Sequence, residues 1–157
     1  MSALHDEFMK AISILGSTGS IGCNTLKVVE FLGDFRVVAL GAGGNIGKLA
    51  EQIEQFQPEL VAVKDETCAE ELLRKISNFK FQIPKILIGE AGLIAVATHD
   101  EAETVVSATV GAVGFVPTLR ALARVRALPR ARAPRQLPAP ASQRRLPCAT
   151  RPLPATR

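Results

Sequence analysis

Three glycines spaced three apart, Gly16, Gly19 and Gly22, follow the apolar run Ala11-Ile-Ser-Ile-Leu15, and no other stretch of the chain is better suited to chemistry. The chemistry is binding rather than bond-breaking. A strand that ends in such a turn and re-enters as a helix uses Gly16 for the sharp exit. Gly19 lets a phosphate come against the backbone, and Gly22 lets the helix sit close on the sheet. The N–H groups of Thr18, Gly19, Ser20 and Ile21 are then expected to point outward unpaired, at the positive end of the helix dipole, where a diphosphate binds well. The spacing Gly-x-x-Gly-x-x-Gly differs from the commoner Gly-x-Gly-x-x-Gly, so the motif also suits a glycine-rich turn without a ligand.

The exit of the next apolar run selects between cofactors. A site for NAD places Asp or Glu there to hold the ribose 2′-hydroxyl, whereas residues 38–45 contain no carboxylate. That favours NADP. Gly43 and Gly44 leave room for a 2′-phosphate, Asn45 could donate to it from a helix N-terminus, and Lys48 is a possible charge partner. A plain cap and turn fits the same residues.

Other chemistries find little support. Residues 42–49 look like a Walker A loop but lack its first Gly and its closing Ser or Thr. His5 and His99 have no Cys or carboxylate at metal-ligand spacing. Cys23 reads as a small buried filler, and the acids Asp65, Glu66, Glu70 and Glu71 as a helix start and its wet face. No acid, base or nucleophile stands out as catalytic.

These residues must be positioned by an alternation of strands and helices. Strands are expected over 11–15, 35–40, 60–63, 85–88 and 104–110, and helices over 20–32, 46–56, 66–76 and 89–97. Such alternation predicts an α/β fold, a doubly wound parallel sheet with the ligand at its carboxyl edge. The net charge of +4 over 157 residues conceals two different halves. All 15 acids lie at or before Glu103, while residues 120–157 hold ten Arg, seven Pro and no Asp, Glu or Lys. The three cysteines form no Cys-x-x-Cys pair, and no apolar run approaches the roughly 18 residues of a membrane span, which suits a cytoplasmic protein.

Ile14-Leu-Gly-Ser-Thr-Gly-Ser-Ile-Gly22, Phe35-Arg-Val-Val-Ala-Leu40 with Gly43-Gly-Asn45, and Val110-Gly-Ala-Val-Gly-Phe-Val-Pro-Thr-Leu119 closely resemble the amino-terminal region of the 1-deoxy-D-xylulose 5-phosphate reductoisomerases. That resemblance implies a Rossmann-like domain and two cofactors, NADPH and a divalent metal (Mg2+ or Mn2+). It also implies a homodimer that rearranges and reduces 1-deoxy-D-xylulose 5-phosphate to 2-C-methyl-D-erythritol 4-phosphate in the non-mevalonate route to isoprenoids. By the same resemblance Thr18, Gly19, Ser20 and Ile21 contact the cofactor diphosphate, and Gly43, Gly44 and Asn45 surround its adenosine 2′-phosphate end. Where the family tends to carry a basic residue, this chain has Gly44, which bears on affinity.

The resemblance covers residues 10–123. The Ala-Asn-Lys-Glu segment, the metal-binding carboxylates and the substrate-phosphate residues expected to follow are not in the sequence, so catalytic and metal-ligating residues are expected to be none. NADPH binding is expected to be weak or absent, without turnover. Domains are accordingly read as 1–123, a partial NADPH-binding unit, and 124–157, a disordered Arg/Pro-rich tail of the composition that a GC-rich coding sequence yields out of frame. Two other classes fit parts of the sequence: another NADP-binding oxidoreductase or non-catalytic cofactor-binding domain, and a nucleic-acid-binding arm made by the tail. The arm has ten positive charges but no aromatic residue for base stacking.

Overall fold

The computed structural model describes residues 9–127, with side chains through Arg124. Five strands, β1 (Lys10–Leu15), β2 (Phe35–Gly41), β3 (Leu60–Val63), β4 (Lys85–Ile88) and β5 (Thr104–Ser107), form one sheet in the order β4-β3-β2-β1-β5. Every pairing is parallel. The connections are helices α1 (Ser20–Leu32), α2 (Ile46–Phe56), α3 (Glu66–Ile76) and α4 (Gly89–Ala97), and a 3-10 turn (Gly111–Gly114) leads from β5 into α5 (Phe115–Ala127). This is the expected Rossmann-like α/β architecture.

The central strands are largely apolar because both faces are covered, as parallel sheets require. One face packs Ile12, Ile14, Val37, Leu40, Val61 and Val63 against Leu26 and Val29 of α1, Leu49 and Ile53 of α2 and Leu72 and Ile76 of α3. The other packs Ala11, Leu15, Val38, Ala39, Leu60 and Ala62 against Val96 and Ala97 of α4 and Ala121 of α5. Val38 and Ala39 are successive yet share a face, because Ile12 pairs with Val37 while Ser13 pairs with Ala39. Val38 is therefore a bulge that shifts the phase of β2.

Two expectations are corrected. The last strand stops at Ser107 rather than continuing to Val110. The Ala108 N–H donates to the Leu15 carbonyl at 2.8 Å, and there β1 turns away at Gly16, so the chain beyond has no neighbour to pair with. Residues 124–127, assigned to the tail, are instead the last turn of α5. Arg124 holds that turn in place, its guanidinium donating to the Thr98 and His99 carbonyls and, at 2.9 Å, to the Asp100 carbonyl at the carboxyl end of α4. The prolines of the tail begin at Pro129, and residues 128–157 lie outside the described residues.

At the amino edge of the sheet, Arg36 in β2 bonds Glu59 before β3 and Glu101 before β5. This clamp is remote from the glycine turn. Asp65 caps α3 by accepting the Cys68 N–H at 2.9 Å, as the sequence suggested. That backbone hydrogen bond holds its carboxyl below the ordinary value of 3.8. The folded pKa is thus the lower one, so the cap contributes fully above the ordinary value and is lost as pH falls through the folded value. Acid titration by circular dichroism is expected to show this loss in the natural chain. In Asp65→Asn, which keeps the acceptor oxygen without the titration, that component of the pH dependence should be missing.

Candidate functional site

The turn after β1 is suspended from the end of β2. Gly16 adopts φ 78°, and the N–H groups of Gly16 and Ser17 both donate to the Gly41 carbonyl, at 2.8 and 2.9 Å. A Cβ on Gly16 would lie 2.6 Å from the Ala108 carbonyl oxygen, so only glycine fits between β1 and the end of β5. A Cβ on Gly22 would meet the Gly16 carbonyl oxygen at 2.3 Å and Ser17 Cα at 2.6 Å. Gly22 therefore lets α1 sit on the turn itself, where the sequence reading had it sit on the sheet.

The amides are arranged largely as expected. The Gly19 N–H is the exception, donating to the Gly16 carbonyl at 3.1 Å. It closes the loop and is not available outward. Among the described residues the N–H groups of Thr18, Ser20 and Ile21 have no backbone acceptor, and the first helical bond is from Cys23 to the Gly19 carbonyl at 2.9 Å. Gly19 is exposed, with the nearest atom to a Cβ there at 3.4 Å, so the approach to this helix end is open.

A cavity of about 660 Å³ opens beside the turn at the carboxyl edge of the sheet, within the range of small-molecule and cofactor sites. Its wall takes Gly16, Thr18 and Gly19 from the turn and residues 41–43 from the exit of β2. Lys64 follows β3; Gly89, Glu90 and Leu93 belong to α4; Ala108, Thr109, Val110, Ala112 and Val113 follow β5. Of the seven residues expected to bind cofactor, Thr18, Gly19 and Gly43 wall the cavity. Ser20 and Ile21 stand exposed on the first turn of α1, and Gly44 and Asn45 are exposed before α2. Asn45 caps α2, its Oδ1 accepting the Lys48 N–H at 3.2 Å, which leaves its side-chain N–H groups as the donors that face outward. A Cβ on Gly43 or Gly44 would touch nothing within 4 Å.

Lys64, Glu90, Leu93 and Thr109 were not singled out from sequence. Each follows the end of a strand, on the edge where ligands of parallel sheets bind, and that position was the available signal. Thr109 Oγ1 is buried beside the cavity with no partner among the described residues. His99 lies elsewhere, its Nε2 3.9 Å from Glu59 near the amino edge. Among the described residues no three or more His, Cys, Asp or Glu side chains are grouped to hold a metal. No helix of the described residues is long and apolar enough to cross a membrane.

The sequence profile of the 1-deoxy-D-xylulose 5-phosphate reductoisomerase family matches residues 12–131. The chain belongs to that family. Curated reductoisomerases similar to it include that of Geotalea uraniireducens, 51% identical over 115 residues, covering 73% of this chain and 29% of the relative. The chloroplastic enzyme of Mentha piperita is 48% identical over 114 residues, covering 72% of this chain and 24% of the relative. The chain thus spans between 24% and 29% of these reductoisomerases' length. A reductoisomerase from Zymomonas mobilis solved with NADPH superposes with TM-score 0.66 at 26% identity, over 73% of this chain and 29% of that one. Another reductoisomerase, solved with NADPH, fosmidomycin and magnesium, gives TM-score 0.67 at 32% identity over 72% and 28%. The family match runs to residue 131, past Ala123 where the sequence reading placed the break.

Proposed function

We propose that this chain forms the NADPH-binding part of a 1-deoxy-D-xylulose 5-phosphate reductoisomerase, with Thr18, Ser20 and Ile21 amides and Gly19 at the diphosphate and Gly43, Gly44 and Asn45 at the 2′-phosphate. The observation that carries this reading is the meeting of two features on one cavity. Thr18, whose amide has no backbone acceptor among the described residues, walls it beside the open end of α1, and the exit of β2 that borders it bears no carboxylate. The first favours a diphosphate, and the second removes the group that would repel a 2′-phosphate.

NADPH, when bound, would supply hydride for reduction. The chain's own contribution is to hold and orient it. The turn fixes the diphosphate, while Leu93, Val110 and Val113 give the cavity an apolar wall against which the bound molecule can rest. A divalent metal does not fit the described residues, which hold no three-ligand group, so no step is assigned to one here. Free Cys23 and Cys68 support a reducing, cytoplasmic compartment. A change of reading frame beyond residue 131, where the family match ends, accounts for the acid-free composition of the tail, and resequencing the coding DNA there tests it. An uninterrupted frame through Arg157 would remove it.

The 157-residue polypeptide is expected to bind NADPH weakly and in preference to NADH, and to show no turnover of 1-deoxy-D-xylulose 5-phosphate with Mg2+ or Mn2+ present. Fluorescence titration with both nucleotides to millimolar concentration, followed by an NADPH-consumption assay, checks both statements. Preference for NADH would overturn the cofactor assignment. Measurable turnover would overturn the expectation that the metal and substrate groups are missing.

A further inference from the structure

Gln52 of α2 is a buried polar side chain, 7% exposed. Its Nε2 donates to the Ser17 carbonyl at 3.0 Å, across 35 residues of sequence. Cys23 Sγ reaches the same carbonyl at 3.5 Å, and Gln52 Nε2 lies 3.8 Å from that sulfur. A carbonyl oxygen can only accept, which fixes the amide nitrogen, rather than Oε1, toward Ser17.

The consequence follows from peptide geometry. The Ser17 carbonyl and the Thr18 N–H belong to one planar trans unit and point in opposite directions. Drawing the carbonyl inward against α2 turns the Thr18 amide outward, where it has no backbone acceptor among the described residues and where Thr18 walls the cavity. We infer that Gln52 is a positioning residue for the diphosphate site: it locks the Ser17–Thr18 peptide so that the Thr18 amide is presented to the ligand. This rests on the cofactor reading above and deepens it. The helix that starts beside Gly43 and Gly44 thus also reaches the turn after β1, so one element bears on both ends of the proposed nucleotide site.

Two full-chain variants separate positioning from bulk stability. Gln52→Met keeps the volume and removes the donor. It is expected to weaken NADPH about 10-fold, the size of one lost hydrogen bond, while 2′-AMP, which has no diphosphate, binds as before. Gln52→Glu donates only when protonated, so its NADPH affinity relative to the natural chain should recover as pH falls and decline as pH rises. Equal losses for NADPH and 2′-AMP, natural affinity in Gln52→Met, or a flat pH ratio in Gln52→Glu would each overturn the inference. Amide hydrogen exchange at Thr18, measured without ligand, keeps the test independent of the cofactor. Exchange should be fast in the natural chain and altered in Gln52→Met, and an unchanged rate there overturns the inference. A natural chain that binds neither nucleotide would instead defeat the cofactor reading.

Discussion

Gly22→Ala is expected to lower the melting temperature by about 15 °C and to abolish NADPH binding, whereas Gly19→Ala should melt like the natural chain and lose binding alone. At position 22 an added Cβ lies 2.3 Å from the Gly16 carbonyl oxygen and 2.6 Å from Ser17 Cα, both of them backbone. No rotamer change relieves such a contact. Helix α1 must lift from the turn, and overpacking of this kind costs about 3 kcal/mol, which corresponds to about 15 °C in a domain of this size. At position 19 the nearest atom to the added methyl is at 3.4 Å, and the backbone there is extended with φ −75°. The fold tolerates it. The methyl group nevertheless stands at the open end of α1, where the ligand phosphate must approach. Thermal melts by circular dichroism with NADPH titration distinguish the two outcomes, and a Gly22→Ala protein that melts within a few degrees of the natural chain would refute the close-packing account.

Gly43→Asp is expected to exchange the cofactor preference, shifting the NADPH-to-NADH affinity ratio about 100-fold toward NADH. Gly43 borders the cavity at the exit of β2, has nothing within 4 Å of its Cβ position and does not use a positive φ, so an aspartate enters without strain. Its carboxylate would accept from a ribose 2′-hydroxyl and repel a 2′-phosphate. At about 5 Å and an effective dielectric near 20, two like charges repel by about 3 kcal/mol, enough for the stated change. Parallel titrations of both proteins with NADPH and NADH measure the ratio. If the ratio is unaltered, the 2′-phosphate does not lie at this loop.

The parts legible in sequence were those dictated by short-range pattern. The buried runs at 35–40 and 60–63 and the amphipathic stretches at 46–56 and 66–76 formed where expected because each is continuous in character. The strand that ended early depended on a different strand's length, which no local pattern carries. Helix α5, absent from the expected elements, carries Pro117 in its first turn, where a proline loses no hydrogen bond. At the candidate site, glycine spacing displayed the turn, but the engagement of the Gly19 amide and the contact from Gln52 arise between segments far apart in the chain. The expectation that four successive amides point outward treated the turn as isolated, and closure onto the Gly16 carbonyl removed one of them.

The extra residue in β2 has a reach beyond its own strand. Leu40 and Gly41 present opposite faces to those that an uninterrupted alternation from Val37 would give them, and the carbonyl that suspends the glycine turn belongs to Gly41. Removing one valine from the middle of the sheet would therefore rotate that anchor by half a pleat and swing a loop more than twenty residues earlier in the chain. Aim, in this molecule, is set by a count of residues rather than by any side chain that a ligand would touch.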